Sequence, residues 1–149
     1  MLLENFKMIG SVDSLDLDKG MIQCSSIVPE SGGIMESHFP GFPIFPGVLM
    51  IEAAAQAAGY LYSKSILFKK MAYLAKVDKA RFSNFVYPGN ILKIEIVFVA
   101  KKSEFNFYNA SITVDSKTVF KGEITLASSS YPSQLTKNFM VERSKAVFS

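Results

Sequence analysis

The sequence predicts an α+β domain in which one long apolar helix is wrapped by a curved antiparallel sheet. Three observations carry that expectation. Between Val48 and Ser63 the chain is apolar almost without interruption and rich in alanine. From Tyr73 onward the pattern changes to β-branched and aromatic segments parted by short turn sequences. A chain of 149 residues with 49% hydrophobic content can bury one core without staples, which argues against disorder.

The elements follow in order. Phe6 to Leu17 alternates loosely and ends at Asp18-Lys19-Gly20, turn chemistry suited to a hairpin. Met21 to Val28 reads as the returning strand, with Cys24 in its middle and Pro29 as its stop. Residues 29–37 (PESGGIMES) form a loop by composition. In the segment from His38 to Gly47 three prolines fix their own φ angles and bias their predecessors toward extended backbone, so the connection is stiff. Val48 to about Ser63 is a helix. Ala53, Ala54, Ala55, Ala57 and Ala58 favour it, and an apolar surface nearly all round makes it central. Tyr73–Phe85, Ile91–Ala100, Phe105–Asp115 and Thr118–Ala127 read as four strands of a meander. The domain then occupies residues 1–127. Residues 128–149 are a C-terminal extension, in which Phe139, Met140, Val147 and Phe148 form the apolar stripe of a short helix.

Composition narrows the function classes. The 16 Lys and Arg against 13 Asp and Glu give a net charge of +3, too balanced to indicate nucleic acid. Lys64, Lys69, Lys70, Lys76, Lys79 and Arg81 cluster after the helix, as a solvated face or as a dock for an acidic partner. The lone Cys24 excludes an internal disulfide framework, and no Cys/His cluster suits a metal. The opening MLLENFKMIG lacks a signal-peptide pattern, and the longest apolar run, broken by Pro46, Gly47, Glu52 and Gln56, is too short to span a membrane. A cytoplasmic protein is expected.

Residues 38–59 (HFPGFPIFPGVLMIEAAAQAAG) carry the chemistry. His38 is the only histidine, and Glu52 and Gln56 stand four apart, on one side of the apolar helix. This stretch resembles the signature of the 3-hydroxyacyl-acyl-carrier-protein dehydratases of the FabA/FabZ type, of general form HFPGxPxxPGVLxxEAxAQ. Leu74 to Phe82 (LAKVDKARF) and Val86-Tyr87-Pro88-Gly89 are similar to that family's next block, so the resemblance covers about residues 35 to 127. It implies the hot-dog fold, homodimers with active sites between subunits, often joined as hexamers (trimers of dimers), and neither cofactor nor metal. It also implies an acyl carrier protein as partner, met by the basic residues after the helix. Two features depart from the pattern. MLLENFKMI replaces the usual PHRYP-like opening and is similar to a branch serving very-long-chain acyl groups of lipid A. The C-terminal tail is also longer. Glu52 stands where isomerising relatives carry Asp, which leans against isomerisation.

Dehydration of a 3-hydroxyacyl thioester needs a base for the C2 proton, an acid for the leaving hydroxyl and donors for the thioester oxygen. His38 is the candidate base, since an imidazole accepts and releases a proton near neutrality. Its ordinary alternative is a turn histidine held by backbone. Glu52 is the candidate acid: burying it ionised and unpartnered costs several kcal/mol, whereas the helix dipole at its N-terminal end favours the anion. Gln56 is placed to orient Glu52. Gly47 N–H, helped by Val48 N–H, is the candidate donor pair, because first-turn amides lack helical partners and a glycine admits close approach. In the family the matching glycine has this role, and Tyr73 matches a tyrosine that gates the acyl tunnel. Phe39, Phe42, Phe45, Met50 and Phe82 are tunnel-lining candidates or plain core. The resemblance also implies that His38 and Glu52 meet across the dimer. Competing readings are a hot-dog thioesterase, a hydratase acting on enoyl-coenzyme A, and a non-catalytic acyl-thioester-binding module.

Overall fold

The computed structural model describes residues 1–149. Its six strands are β1 (Ser11–Asp16), β2 (Met21–Ile27), β3 (Met71–Phe82), β4 (Ile91–Lys102), β5 (Phe105–Val114) and β6 (Lys117–Ser129). Three α-helices accompany them: α1 (Gly33–Ser37), α2 (Gly47–Ser65) and α3 (Gln134–Phe148). The strands make one antiparallel sheet in the order β1-β2-β4-β5-β6-β3.

The β1–β2 hairpin closes at the Asp16–Met21 pair. Gly20 follows the turn in the left-handed region (φ 63°), and a Cβ there would stand 2.9 Å from Phe98 Cβ, so both backbone and space require glycine. The expected meander holds only for β4, β5 and β6. β3 pairs with β6 at the far edge of the sheet, and β4 inserts beside β2, with Ile22 opposite Ile96 and Cys24 opposite Ile94. The reason lies in the connections. β5–β6 turns within Asp115-Ser116, both at positive φ, whereas β3 stops at Phe82 and an irregular stretch follows. That stretch is pinned inside by fully buried Val86, whose carbonyl accepts the Phe45 N–H at 2.7 Å. It is long enough to carry the chain across the sheet instead of folding back on β3.

α2 lies against the sheet's inner face. Ala53, Ala54, Ala57 and Ala58 are fully buried and pack in one core with Ile22, Ile94, Ile96, Ile112, Phe120, Ile124 and Leu126. Methyl side chains let the helix backbone approach the strands closely, and the large residues come from the sheet. Ala57→Leu is therefore expected to lower stability by about 1–3 kcal/mol through overpacking, read from the urea midpoint. An unchanged midpoint would mean that slack exists beneath the helix. Cys24 is buried, and burial pushes its thiol up to about 12.

The C-terminal segment is ordered by docking. Ser133 caps α3, its Oγ accepting the Thr136 N–H at 3.2 Å. The helix lies along β1 and reaches α2, where the Phe148 and Tyr60 rings meet edge to face at 5.9 Å. Its inward stripe is Met140, Arg143, Ser144 and Val147, at helical spacing. Phe139, expected in that stripe, is 58% exposed, because it sits one residue out of phase.

Candidate active site

The His38–Pro46 connection is held by its own backbone. Phe39 and Phe42 exchange two N–H···O bonds of 2.8 Å, and the Ile44 N–H donates to His38 O at 2.8 Å. The carbonyl of Ile44 then lies 3.0 Å from His38 Nδ1. A carbonyl can only accept, so Nδ1 carries the hydrogen, and in the neutral ring Nε2 keeps its lone pair. The backbone bond that a turn histidine would make is thus present, and it is the same bond that leaves Nε2 free to accept a hydrogen.

Pro46 caps α2 without a side-chain contribution, and Gly47 is the first helical residue. Leu49 N–H turns back to Pro46 O at 3.0 Å, whereas the N–H groups of Gly47 and Val48 have no backbone acceptor. A side chain at position 47 would meet the Phe82 ring at 2.9 Å, so glycine keeps this corner open between helix and aromatic wall. Val48 is 70% exposed. Val48, Glu52 and Gln56 share one face of α2, so the free amides stand about 6 Å along the axis from Glu52.

Below that face is a cleft of about 270 Å³, lined by Glu52, Gln56 and Tyr73 together with Phe6, Phe68, Leu74, Leu126, Met140 and Arg143, among others. Gln56 Nε2 donates to Glu52 Oε1 at 2.9 Å and to Phe6 O at 2.9 Å, and Gln56 Oε1 accepts the Met8 N–H at 3.1 Å. The structure therefore brings Glu52, Gln56 and Tyr73 to one cleft. His38 does not line it. Phe39, stacked on His38 at 4.1 Å, and Phe42, edge-on to Phe85 and Tyr87, are half-exposed on the loop side. Phe45 and Met50 are buried in the core, and Phe82 leans on Phe120 at 5.4 Å.

Of the basic residues after the helix, Lys70, Lys76 and Lys79 each pair with a carboxylate, of Glu104, Asp78 and Glu123 respectively. These pairs are exposed and contribute little to stability. Lys64 lies 4.3 Å above the Phe148 ring. No helix is long and apolar enough to cross a membrane.

The FabA-like domain model matches residues 2–123, most of the chain and every site residue above except Leu126, Met140 and Arg143. The chain belongs to the FabA-like family. A 3-hydroxyacyl-[acyl-carrier-protein] dehydratase FabZ of Pediococcus pentosaceus is 36% identical over 115 residues, 76% of each chain. Another FabZ, from Vibrio atlanticus, is 35% identical over 128 residues, covering 82% of this chain and 83% of its own. Among solved structures, the dehydratase heterocomplex ApeI:P of Xenorhabdus doucetiae superposes with a TM-score of 0.66 at 15% identity, covering 92% of this chain and 90% of that one. A hypothetical thioesterase with coenzyme A from Streptococcus pneumoniae gives 0.62 at 14% identity, covering 83% and 88%. At such identities these two establish the shared hot-dog fold and nothing finer. The matched span contains both His38 and Glu52.

Sequence reasoning gave no site role to Arg143 or Phe6, and read Met140 only as part of the apolar stripe of the C-terminal helix. Arg143 Nη2 donates to Phe6 O and lies 3.4 Å from Gln56 Oε1. Burial pushes the hydroxyl of neighbouring Tyr60 up, while the Arg143 guanidinium acts on it in the opposite direction. The available signal was that Arg143 falls three residues after Met140 and four before Val147, at the helical spacing of one face.

Proposed function

We propose that this protein dehydrates 3-hydroxyacyl thioesters of acyl carrier protein to trans-2-enoyl thioesters in fatty acid biosynthesis. The observation that carries the reading is His38, whose Nδ1 is committed to Ile44 O so that Nε2 is the free acceptor. His38 Nε2 takes the C2 proton. The C2–H electron pair becomes the C2=C3 double bond as the C3–O bond breaks. Glu52 gives its proton to the departing hydroxyl, which leaves as water. Charge that develops on the thioester oxygen is met by the N–H groups of Gly47 and Val48. Proton transfer back from His38 to Glu52, directly or through water, resets the pair.

Because Glu52 faces a cleft that His38 of the same chain does not line, the working site pairs His38 of one subunit with Glu52 of the other. Support for a homodimer comes from β3, whose outer edge has no strand partner. Its half-exposed Tyr73 and Phe82 would be covered by a second copy. Association of dimers in threes, a cytoplasmic site of action and docking of the acidic carrier near the basic residues belong to the same proposal.

The test is to offer purified protein a 3-hydroxyacyl carrier-protein thioester and follow enoyl formation and free thiol together. Enoyl product is expected. Free thiol without enoyl product would replace this reading with a thioesterase, which needs an activated water and no C2 base. A series from short to very long acyl chains decides whether the N-terminal similarity to the lipid A branch extends to substrate choice.

A further inference from the structure

α3 lies beyond residue 123, where the match to the FabA-like model ends, yet it reaches the cleft of Glu52. Its Arg143 is placed there by the packing of the turn that follows it. Val147 is buried one turn later, and Phe148 is fixed between Tyr60 and Lys64 of α2. No carboxylate lies within ion-pair distance of the guanidinium. Its polar partners are neutral oxygens: Phe6 O, Gln56 Oε1 at 3.4 Å, and the hydroxyl of Tyr60.

These contacts decide how the Gln56 amide is turned. An amide can be flipped, exchanging its acceptor and donor ends, unless its neighbours are of fixed polarity. Arg143 and the Met8 N–H can only donate, so both require the oxygen. Phe6 O can only accept, so it requires the nitrogen. The remaining N–H must then point at Glu52 Oε1, as it does at 2.9 Å. That contact occupies one carboxyl oxygen as an acceptor, while Oε2 has no protein partner.

Resting on the dehydratase reading, we infer that Arg143 is a positioning residue for catalysis: it locks the Gln56 amide so that Glu52 holds its transferable proton on Oε2. Without Arg143 the amide loses one of the two donors that set its polarity, and Phe6 O loses the cation that ties the N-terminal segment to α2. The Met8 N–H and Phe6 O still set the polarity of the amide, but it is held less tightly, and Glu52 samples orientations in which its carboxyl is turned from the substrate. Substrate contacts elsewhere in the cleft persist, so the loss falls on turnover and not on binding.

The test is a double-mutant cycle on the full-length protein in its native assembly, with the 3-hydroxyacyl carrier-protein thioester as substrate. Arg143→Ala is expected to lower kcat about tenfold with KM changed less than about twofold. Arg143→Lys should recover part of the loss, since an ammonium can still donate to one of these oxygens. In a Gln56→Ala background the further effect of Arg143→Ala should shrink to less than about twofold. Should circular dichroism show Arg143→Ala unfolded, Arg143→Met keeps the apolar stem against Tyr60 and is measured in its place. An unchanged kcat, or the same fold-loss with and without Gln56, would overturn the assignment and leave the dehydratase reading standing. Absence of wild-type turnover would overturn both.

Discussion

His38→Ala is expected to lower kcat for dehydration by about 10²–10⁴-fold while the protein keeps its fold. The imidazole contributes two things that no neighbour can replace. It is the only histidine in the chain, and its Nδ1–Ile44 bond presents Nε2 as a lone-pair acceptor without any rearrangement at the moment of reaction. The folding cost of removal is small because the loop is also tied by the Phe39–Phe42 and Ile44–His38 backbone bonds. Glu52→Gln should show a loss of similar order, since an amide at position 52 keeps the contact to Gln56 but has no carboxyl proton to deliver. Steady-state kinetics beside a thermal melt separate the two effects. Full turnover in either folded variant would remove that residue from the mechanism.

Breaking the subunit contact should be equally damaging. Ala75 is exposed and stands at an irregularity of the β3–β6 ladder, between Leu74 and Lys76, so it is not paired with β6. In a two-fold contact along the β3 edges, a charge placed there is met by its own copy nearby. Ala75→Asp is therefore expected to give a folded monomer by sedimentation, with turnover below about 1% of wild type, because each half-site loses either its base or its acid. Ala75 itself does not line the cleft of Glu52. A folded monomer that retained turnover would contradict the shared site.

Much of this was legible in the sequence because it is local. The prolines flanking His38, the alanines of α2 and the four-residue step from Glu52 to Gln56 are all set by neighbours along the chain. What the sequence left open depends on contacts between distant residues. β3 and β4 have equally strand-like compositions, and nothing in either says that β3 pairs with β6 while β4 inserts beside β2. Phe45 and Phe42 stand three apart in one loop, yet one is buried and the other half-exposed, because only Phe45 is drawn inward by Val86 O. Arg143 was hidden for the same reason. A cation on a short terminal helix reads as a solvated charge until α3 is seen docked across α2.

The shared site is tested most directly by complementation. His38→Ala and Glu52→Gln chains, each inactive alone, are unfolded together and refolded as an equal mixture, and dehydration is measured on the purified dimers. If His38 of one subunit works with Glu52 of the other, half of the dimers are mixed. Each mixed dimer then has one intact site, so activity should return to about a quarter of wild type. If each site is built within a single chain, no dimer contains an intact pair, and the mixture would stay as inactive as its parents.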